Sequence, residues 1–330
     1  MKKSNIIIII IVAILVIAIA VASYFIFLKP KESKTAKIAF DNFVGHAQIY
    51  VALEKGYFKE NGVNVEPVLT KSYQEAQNLF IDNKVDGVFE VFSDTVLNSI
   101  KNYIPSEVVF VNDASISADV IIAKPDINSL SDLKGKTIGV DGINTFSHIF
   151  VLSALEKNGL LEKDIFLKNI SAPNVLSALE SGEVDAVHTW DPIKSQAVTK
   201  GYKVIAQAGD TPNLITDVLS FNDQFVKNNP KTVQAIVKAM LQAEEYTSQN
   251  KEEAAKIMAK AEGTTEQEMF QGLSGLNQFN KQENIRLMTD NNQADSLFTI
   301  GREIINFYQN RGETGHVPDL TQIINPSFLK

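Results

Sequence analysis

The sequence predicts an α/β protein of two lobes with a cleft between them, and three observations predict it. Residues 176–192, LSALESGEVDAVHTWDP, read as the last turns of a helix, a Ser-Gly stop, a short apolar strand and then Trp190-Asp191-Pro192. The same order of signals occurs earlier. Leu79-Phe80-Ile81-Asp82-Asn83-Lys84-Val85-Asp86-Gly87-Val88 matches Leu179 to Val187 in residue type, and Glu54-Lys55-Gly56-Tyr57-Phe58 resembles Glu156-Lys157-Asn158-Gly159-Leu160. Both pairs lie about 100 residues apart, a period of repeated lobes rather than of a solenoid. Finally, strand-like and helical runs alternate up to Phe221 and the pattern is helical from Pro230 onward, so the chain leaves its first lobe and comes back to it.

Within 176–192, Ser181-Gly182 ends the helix because Gly tolerates positive φ. Val184, Ala186 and Val187 supply a buried strand of the parallel-sheet type. Pro192 suits the first turn of the next helix, where its missing N–H is no loss. Trp190, the only Trp, and Asp191 therefore sit at the carboxyl end of a strand, the edge where open α/β sheets bind ligands. Trp190 either packs in the core or rim or faces a ligand, and its position favours the ligand.

The remaining elements follow in order. Ile38-Ala39-Phe40 is a strand ending at Asp41, Phe43 to His46 is a loop, and Ile49, Ala52 and Leu53 mark a helix face. Asn61-Gly62 breaks the chain before a strand over 63–68. A helix through Ala76, Leu79 and Phe80 leads to the strand 87–91, after which Phe92, Ser93 and Asp94 stand at its end, with Ser93 or Asp94 able to cap the next helix. Strands follow at 108–111 and at 120–122, the latter expected to cross between lobes. In the second lobe, 130–133 is a short helical turn, 137–140 a strand, and Asn144 to His148 opens a helix with Phe150, Leu152 and Leu155 on its face. A strand at 165–170, the helix opened by Asn174, and a strand at 202–206 complete this lobe. Residues 213–221 read as the return crossover, carrying Asp217. Val233, Ile236, Val237, Met240 and Leu241, and later Leu297, Ile300, Ile304 and Phe307, repeat at helical spacing and are expected to wrap the first lobe.

Composition narrows the function classes. The 330 residues carry a net charge of −8 and no basic, aromatic-interleaved stripe, which argues against a nucleic-acid surface. Cysteine is absent, excluding disulfides, thiolate metal sites, a cysteine nucleophile and a lipid-bearing cysteine. Residues Ile6 to Leu28 are uncharged and almost wholly apolar, longer than the roughly 20 residues that span a bilayer. The reading is a single-pass cell-membrane anchor with the globular part outside the cytoplasm. The competing reading is a secretory signal cleaved after Ala22, in which case the protein is secreted. The expected organisation is a transmembrane anchor or signal peptide over 1–28, a tether over 29–37, a first lobe of 38–118 and 218–330, and a second lobe of 119–217.

No catalytic constellation has convincing spacing. His46, His148, His188 and His316 make no zinc-helix pair, and Gly135-Lys136-Thr137 lacks the first glycine of a phosphate loop. No catalytic residue, metal ligand or cofactor is therefore assigned. What remains is a set of strand-end loops facing one cleft: Phe43, Gly45, His46, Phe92, Ser93, Asp94, Thr145, Phe146, Ser147, His148, Trp190, Asp191 and Asp217. Thr145 and Ser147 at a helix start either hold a carboxylate or sulfonate beside free N–H groups or simply cap the helix. Asp94 and Asp191 either hold an ammonium or cap helices. Both kinds of group in one cleft point to an anionic or zwitterionic solute.

The residues Gly45-His46 through Ala52-Leu53-Glu54-Lys55-Gly56-Tyr57-Phe58, Ala118-Asp119 through Asp132-Leu133-Lys134-Gly135-Lys136, Leu155 to Leu160, Gly182 to Val187 and Thr189-Trp190-Asp191-Pro192 carry a resemblance over about Lys37 to Phe221. The chain resembles the solute-binding proteins of nitrate/sulfonate/taurine-type (NitT/TauT) ABC importers, a group that includes thiamine-precursor binders. The resemblance implies a type II periplasmic-binding-protein fold and a non-enzymatic role. It also implies a small sulfonate- or taurine-like solute, and an ABC permease with its ATPase as partners. An enzyme of the thiamine-pyrimidine-synthase type and a ligand-sensing domain of a signalling system are the alternatives, and the lack of cysteine counts against the first.

Overall fold

A computed structural model describes residues 35–312 and 315–330, so the expected anchor over 1–28 and most of the tether lie outside the described residues. Two separate mixed sheets form the frame, each built around three parallel strands. In the first, β1 (Ala36–Phe40) is flanked in parallel by β2 (Val65–Leu69) and β3 (Gly87–Val91). The long β4 (Ser106–Ser115), β10 (Thr216–Asn222) and the short β11 (Leu276–Gln278) complete the order β11-β4-β10-β3-β1-β2, with β10 antiparallel to both neighbours. In the second sheet, β6 (Thr137–Val140) pairs in parallel with β7 (Phe166–Asn169) and β8 (Ala186–Thr189). There β5 (Val120–Ala123) runs antiparallel between β8 and β9 (Lys203–Gln207). Helices cover both sheets, which is why β1, β3, β5 and β8 are apolar and buried almost throughout.

Most elements fall where the periodicity put them, and the differences have local causes. The second strand begins at Val65, not Val63, because pairing starts where Ala36 opens β1; Val63 is buried outside the sheet. Val120 to Ala123 does not cross between lobes: it belongs wholly to the second sheet. Residues 116–119 make the crossing instead. The return segment becomes β10, inserted between β3 and β4, so Asp217 lies on a strand opposite Val91 and Asp113. Among the described residues of 230–330 the one named strand is β11. The longest helices there are α1 (Pro230–Gln249) and α2 (Leu297–Asn310), and both pack on first-lobe elements. In α2 the buried aromatic is Tyr308, while Phe307 is half-buried.

The two crossings lie side by side and are bonded to each other. Ser115 N–H donates to Ile215 O at 3.0 Å, Ala208 N–H to Asp119 O at 2.9 Å and Gly209 N–H to Ile116 O at 2.6 Å. The Gly275 carbonyl, just before β11, accepts both Ile116 N–H (2.9 Å) and Ser117 N–H (3.0 Å). A Cβ at Gly275 would stand 2.8 Å from the Ala118 backbone nitrogen, so only glycine lets β11 seal this hinge. Gly275→Val is expected to lose about 1–3 kcal/mol of stability by overpacking against backbone that cannot move aside. Urea unfolding checks it, and an unchanged midpoint would mean the crossing strands are looser than their bonding implies.

Candidate functional site

The parallel strands of both sheets point their carboxyl ends at one junction, and the side chains that follow them meet there. Asp41, Phe43 and His46 follow β1, Val91 ends β3, and Trp190 follows β8. Tyr73, Asp119, Phe146, Ile215 and Asp217 complete the lining of a cavity of about 10 Å³. That is room for about one water molecule. The structure is thus the closed arrangement, and any organic solute requires the lobes to part first.

His46 is held between two carboxylates. Its Nδ1 lies 2.9 Å from Asp41 and its Nε2 3.1 Å from Asp217, while its ring stacks on Phe89 at 5.4 Å. Burial works against the charged ring, but the bonds to Asp217 and Asp41 outweigh it and hold the imidazolium up to about 10. With both N–H groups donating, this ring has no lone pair left to act as a base. Burial pushes Asp217 up to about 6, with His46 pulling it back. A second imidazole, His188, sits among Phe146, Phe150 and Trp190. Its Nε2 is 3.2 Å from Asp119 and its Nδ1 2.8 Å from Ser147 Oγ, which also accepts the Asp141 N–H. Assigned from this network, His188 donates to Asp119 and Ser147 donates to His188.

Three buried polar atoms of lining residues have no partner: Asp217 Oδ2, Asp119 Oδ2 and Trp190 Nε1. Two acceptors and one donor, supplied by both lobes, are the chemistry offered to a solute.

Of the residues expected from the sequence, Phe43, His46, Phe146, Trp190 and Asp217 reach the cavity and the others do other work. Gly45 lets the chain pass Asp113, whose Oδ2 would lie 2.2 Å from a Cβ there. Phe92 turns into the first-lobe core against Gly301. Ser93 and Asp94 do not cap their helix, because β3 runs straight into it and Val91 holds the cap position. Asp94 instead reaches across the cleft: Tyr73 Oη donates to it at 2.8 Å and Phe146 N–H, opening the helix Phe146–Glu156, at 3.0 Å. Thr145 makes no cap either; its hydroxyl donates back to Asp141 O and Gly142 O. His148 accepts the Asn144 N–H at 3.0 Å and faces Glu162, outside the cavity. Burial, with Arg311 nearby, holds His148 down at about 4. Asp191 is taken by its own helix: Lys194 pairs with it, and the Ser195 hydroxyl donates to it at 2.6 Å. Pro192 takes the cap position of that helix rather than its first turn.

Sequence reasoning passed over Asp41, Tyr73, Val91, Asp119 and Ile215 as site residues. Asp41 carried a signal as an acid directly after an apolar run, and Asp119 as one directly before such a run. Tyr73 carried none, since its approach depends on how the helix Tyr73–Ile81 docks.

Beyond the cavity, Asp94 and Tyr73 also border an open interlobe groove of about 220 Å³ with Gln74, Gln77, Asn98, Lys101 and Asn144. Further out, Arg311 at the end of α2 forks onto Glu162 of the second lobe, Nη2 to Oε1 at 2.9 Å, and Tyr308 Oη donates to Asn144 O at 3.2 Å. Glu162→Gln is expected to favour opening by about 1 kcal/mol, a half-exposed ion pair's upper range, lowering the closed-to-open ratio about fivefold. Energy transfer between dyes on the two lobes reads this, and an unchanged ratio would show that the pair does not hold closure.

Residues 44–254 match the sequence profile described as "NMT1/THI5 like". The chain belongs to that family. Among curated relatives of this NMT1/THI5-like protein, the taurine-binding periplasmic protein of Escherichia coli is 24% identical over 240 residues, 69% of this chain and 72% of that protein. Some other curated relatives are matched over about half their own length (49%). The alkanesulfonate-binding protein SsuA from Xanthomonas axonopodis pv. citri, solved bound to MOPS, superposes with a TM-score of 0.71 at 15% identity, covering 91% of this chain and 99% of that one. The desulfurization enzyme DSZB superposes at 0.67 and 17% identity, covering 89% and 97%. The two-lobed periplasmic-binding-protein fold is therefore the fold of this protein, and it is one that hosts both binders and an enzyme.

Proposed function

We propose that this protein is the extracytoplasmic solute-binding component of an ABC importer, capturing a small organic solute by lobe closure and delivering it to a permease and its ATPase. The observation that carries the reading is the cavity between the lobes, where Asp217 Oδ2 from the first lobe and Trp190 Nε1 from the second both lack partners. A solute larger than one water holds the lobes somewhat further apart than they are here, and by bonding both atoms at once it favours a closed over an open state. Relatives that bind taurine and alkanesulfonate support the role. The lobes are proposed as expected except at the return crossing: β10, which carries Asp217, belongs to the first sheet, so the first lobe is 38–118 with 216–330 and the second is 119–215. The enzymatic alternative lacks support in this chain: it has no cysteine, and the cavity imidazole has no free lone pair.

Among the described residues no helix is long and apolar enough to cross a membrane, so attachment is proposed for Ile6 to Leu28 alone. Extraction of membranes with alkaline carbonate tests it: an anchored chain stays in the pellet, a cleaved one is released. For the receptor role, screening small polar organics by thermal shift is expected to find a solute that raises Tm by several degrees at 100-fold excess over Kd, about 2.7 kcal/mol. The same solute must bring the two lobes together by energy transfer; a ligand that binds without closure would sink the reading.

A further inference from the structure

We propose that the solute is an organic cation without an anionic group, and that Asp94 is the residue that excludes the anion. This rests on the receptor reading and deepens it. Among the cavity's lining residues the charged side chains are Asp41, Asp119 and Asp217 with His46, and none is Lys or Arg. His46 is shared between Asp41 and Asp217, so one imidazolium stands against three acids. The partnerless Asp217 Oδ2 and Asp119 Oδ2 are both acceptors and both buried, so the group that satisfies them must present several N–H donors. An ammonium or amidinium does so and adds the charge the cavity lacks. Phe43, Tyr73, Phe146 and Trp190 supply ring surfaces around it, with Tyr73 and Phe146 centroids 4.9 Å apart and Phe146 and Trp190 5.7 Å apart. Such rings stabilise a cation and accept a flat apolar body. Trp190 Nε1 is left for one neutral acceptor on the solute.

The helix Phe146–Glu156 is where an anionic group would be drawn, since the N–H of its first residue faces the junction. That place is filled by the protein. Asp94 takes the Phe146 N–H, and its other oxygen takes the Tyr73 hydroxyl, which in turn accepts the Val91 N–H. Asp94 comes from the opposite lobe, so closure itself delivers a carboxyl group to the helix start. A solute sulfonate or carboxylate would have to displace it from the Phe146 N–H and the Tyr73 hydroxyl.

The test uses the full chain in detergent and four probes of similar size: phenethylamine, benzyl alcohol, taurine and benzenesulfonate. Calorimetry is expected to rank phenethylamine first, with taurine at least tenfold weaker and benzenesulfonate without measurable binding. Asp94→Ala frees the Phe146 N–H at the helix start; it is expected to narrow the phenethylamine-to-taurine ratio tenfold or more. A purely structural cap would leave that ratio unchanged while altering both affinities alike, and that result overturns the assignment to Asp94. Tighter binding of taurine, benzenesulfonate or the neutral alcohol to the unaltered chain overturns the cation. If such a probe also closes the lobes, the receptor reading survives and only this inference falls; if no probe binds, this inference falls and the thermal-shift screen alone decides the receptor reading.

Discussion

Replacing His46 with leucine is expected to destabilise the folded unit by about 3–5 kcal/mol, the range for removing one member of a buried ion pair. The substitution leaves Asp41 and Asp217 in a dry site, each 2% exposed, with the imidazolium that both bond taken away. Leucine matches the ring well enough to keep packing against Phe43 and Phe89, so the loss is electrostatic rather than a cavity effect. Asp41→Asn in the same background should recover part of it, because only one carboxylate then remains to be neutralised. Urea unfolding of the single and double variants checks both steps. A loss under about 1 kcal/mol for His46→Leu would show that the two acids are protonated rather than paired.

Stability is expected to fall steadily as pH rises from about 5 to about 10. His46 is raised in the folded state to about 10, so its contribution is complete below its ordinary value of 6.5 and is lost as pH climbs through 10. Burial also raises Asp94 and Glu262 to about 8, Asp141 and Glu244 to about 7, and Asp217 to about 6. Each of these acids holds its proton more tightly when folded, so each favours folding at low pH and loses that preference as pH passes its raised value. The main opposition comes from His148, held down at about 4: its contribution is present above 6.5 and lost as pH falls towards 4. The maximum should therefore lie near pH 4, in the ordinary carboxylate range, where the five raised acids begin to outweigh His148. Tm measured at pH 5, 7 and 9 at constant ionic strength reads the trend, and a Tm that rises from 5 to 9 would contradict it. A cationic solute beside Asp217 should release protons on binding at pH 6, since it favours the ionised acid.

The strand-end rule found the right neighbourhood because it depends on local signals. An apolar run that stops at Asp41, or at Trp190 after Thr189, needs no partner to be recognised as a strand's end. The same rule misjudged orientation. Asp191 sits one residue past Trp190, yet Lys194 and Ser195, three and four residues on, claim it within its own helix. Ser93 and Asp94 read as caps because nothing in the sequence shows that β3 enters its helix without a loop.

From the sequence alone come the two-lobe α/β organisation, the double crossing and the absence of cysteine chemistry, since period, patterning and composition are properties of the chain by itself. Only the tertiary structure decided that Asp119 and Asp217 face one cavity, that Tyr73 joins them, and that Asp94 serves a helix of the other lobe. Those are contacts between groups 52 to 171 residues apart, and they exist only once distant strands are brought together, within one sheet for His46 and Asp217 and between the two sheets for Asp94 and Phe146. Burial then acts on charge: an acid that would be an ordinary surface group in the unfolded chain becomes, in a dry junction, a group whose partner must be supplied.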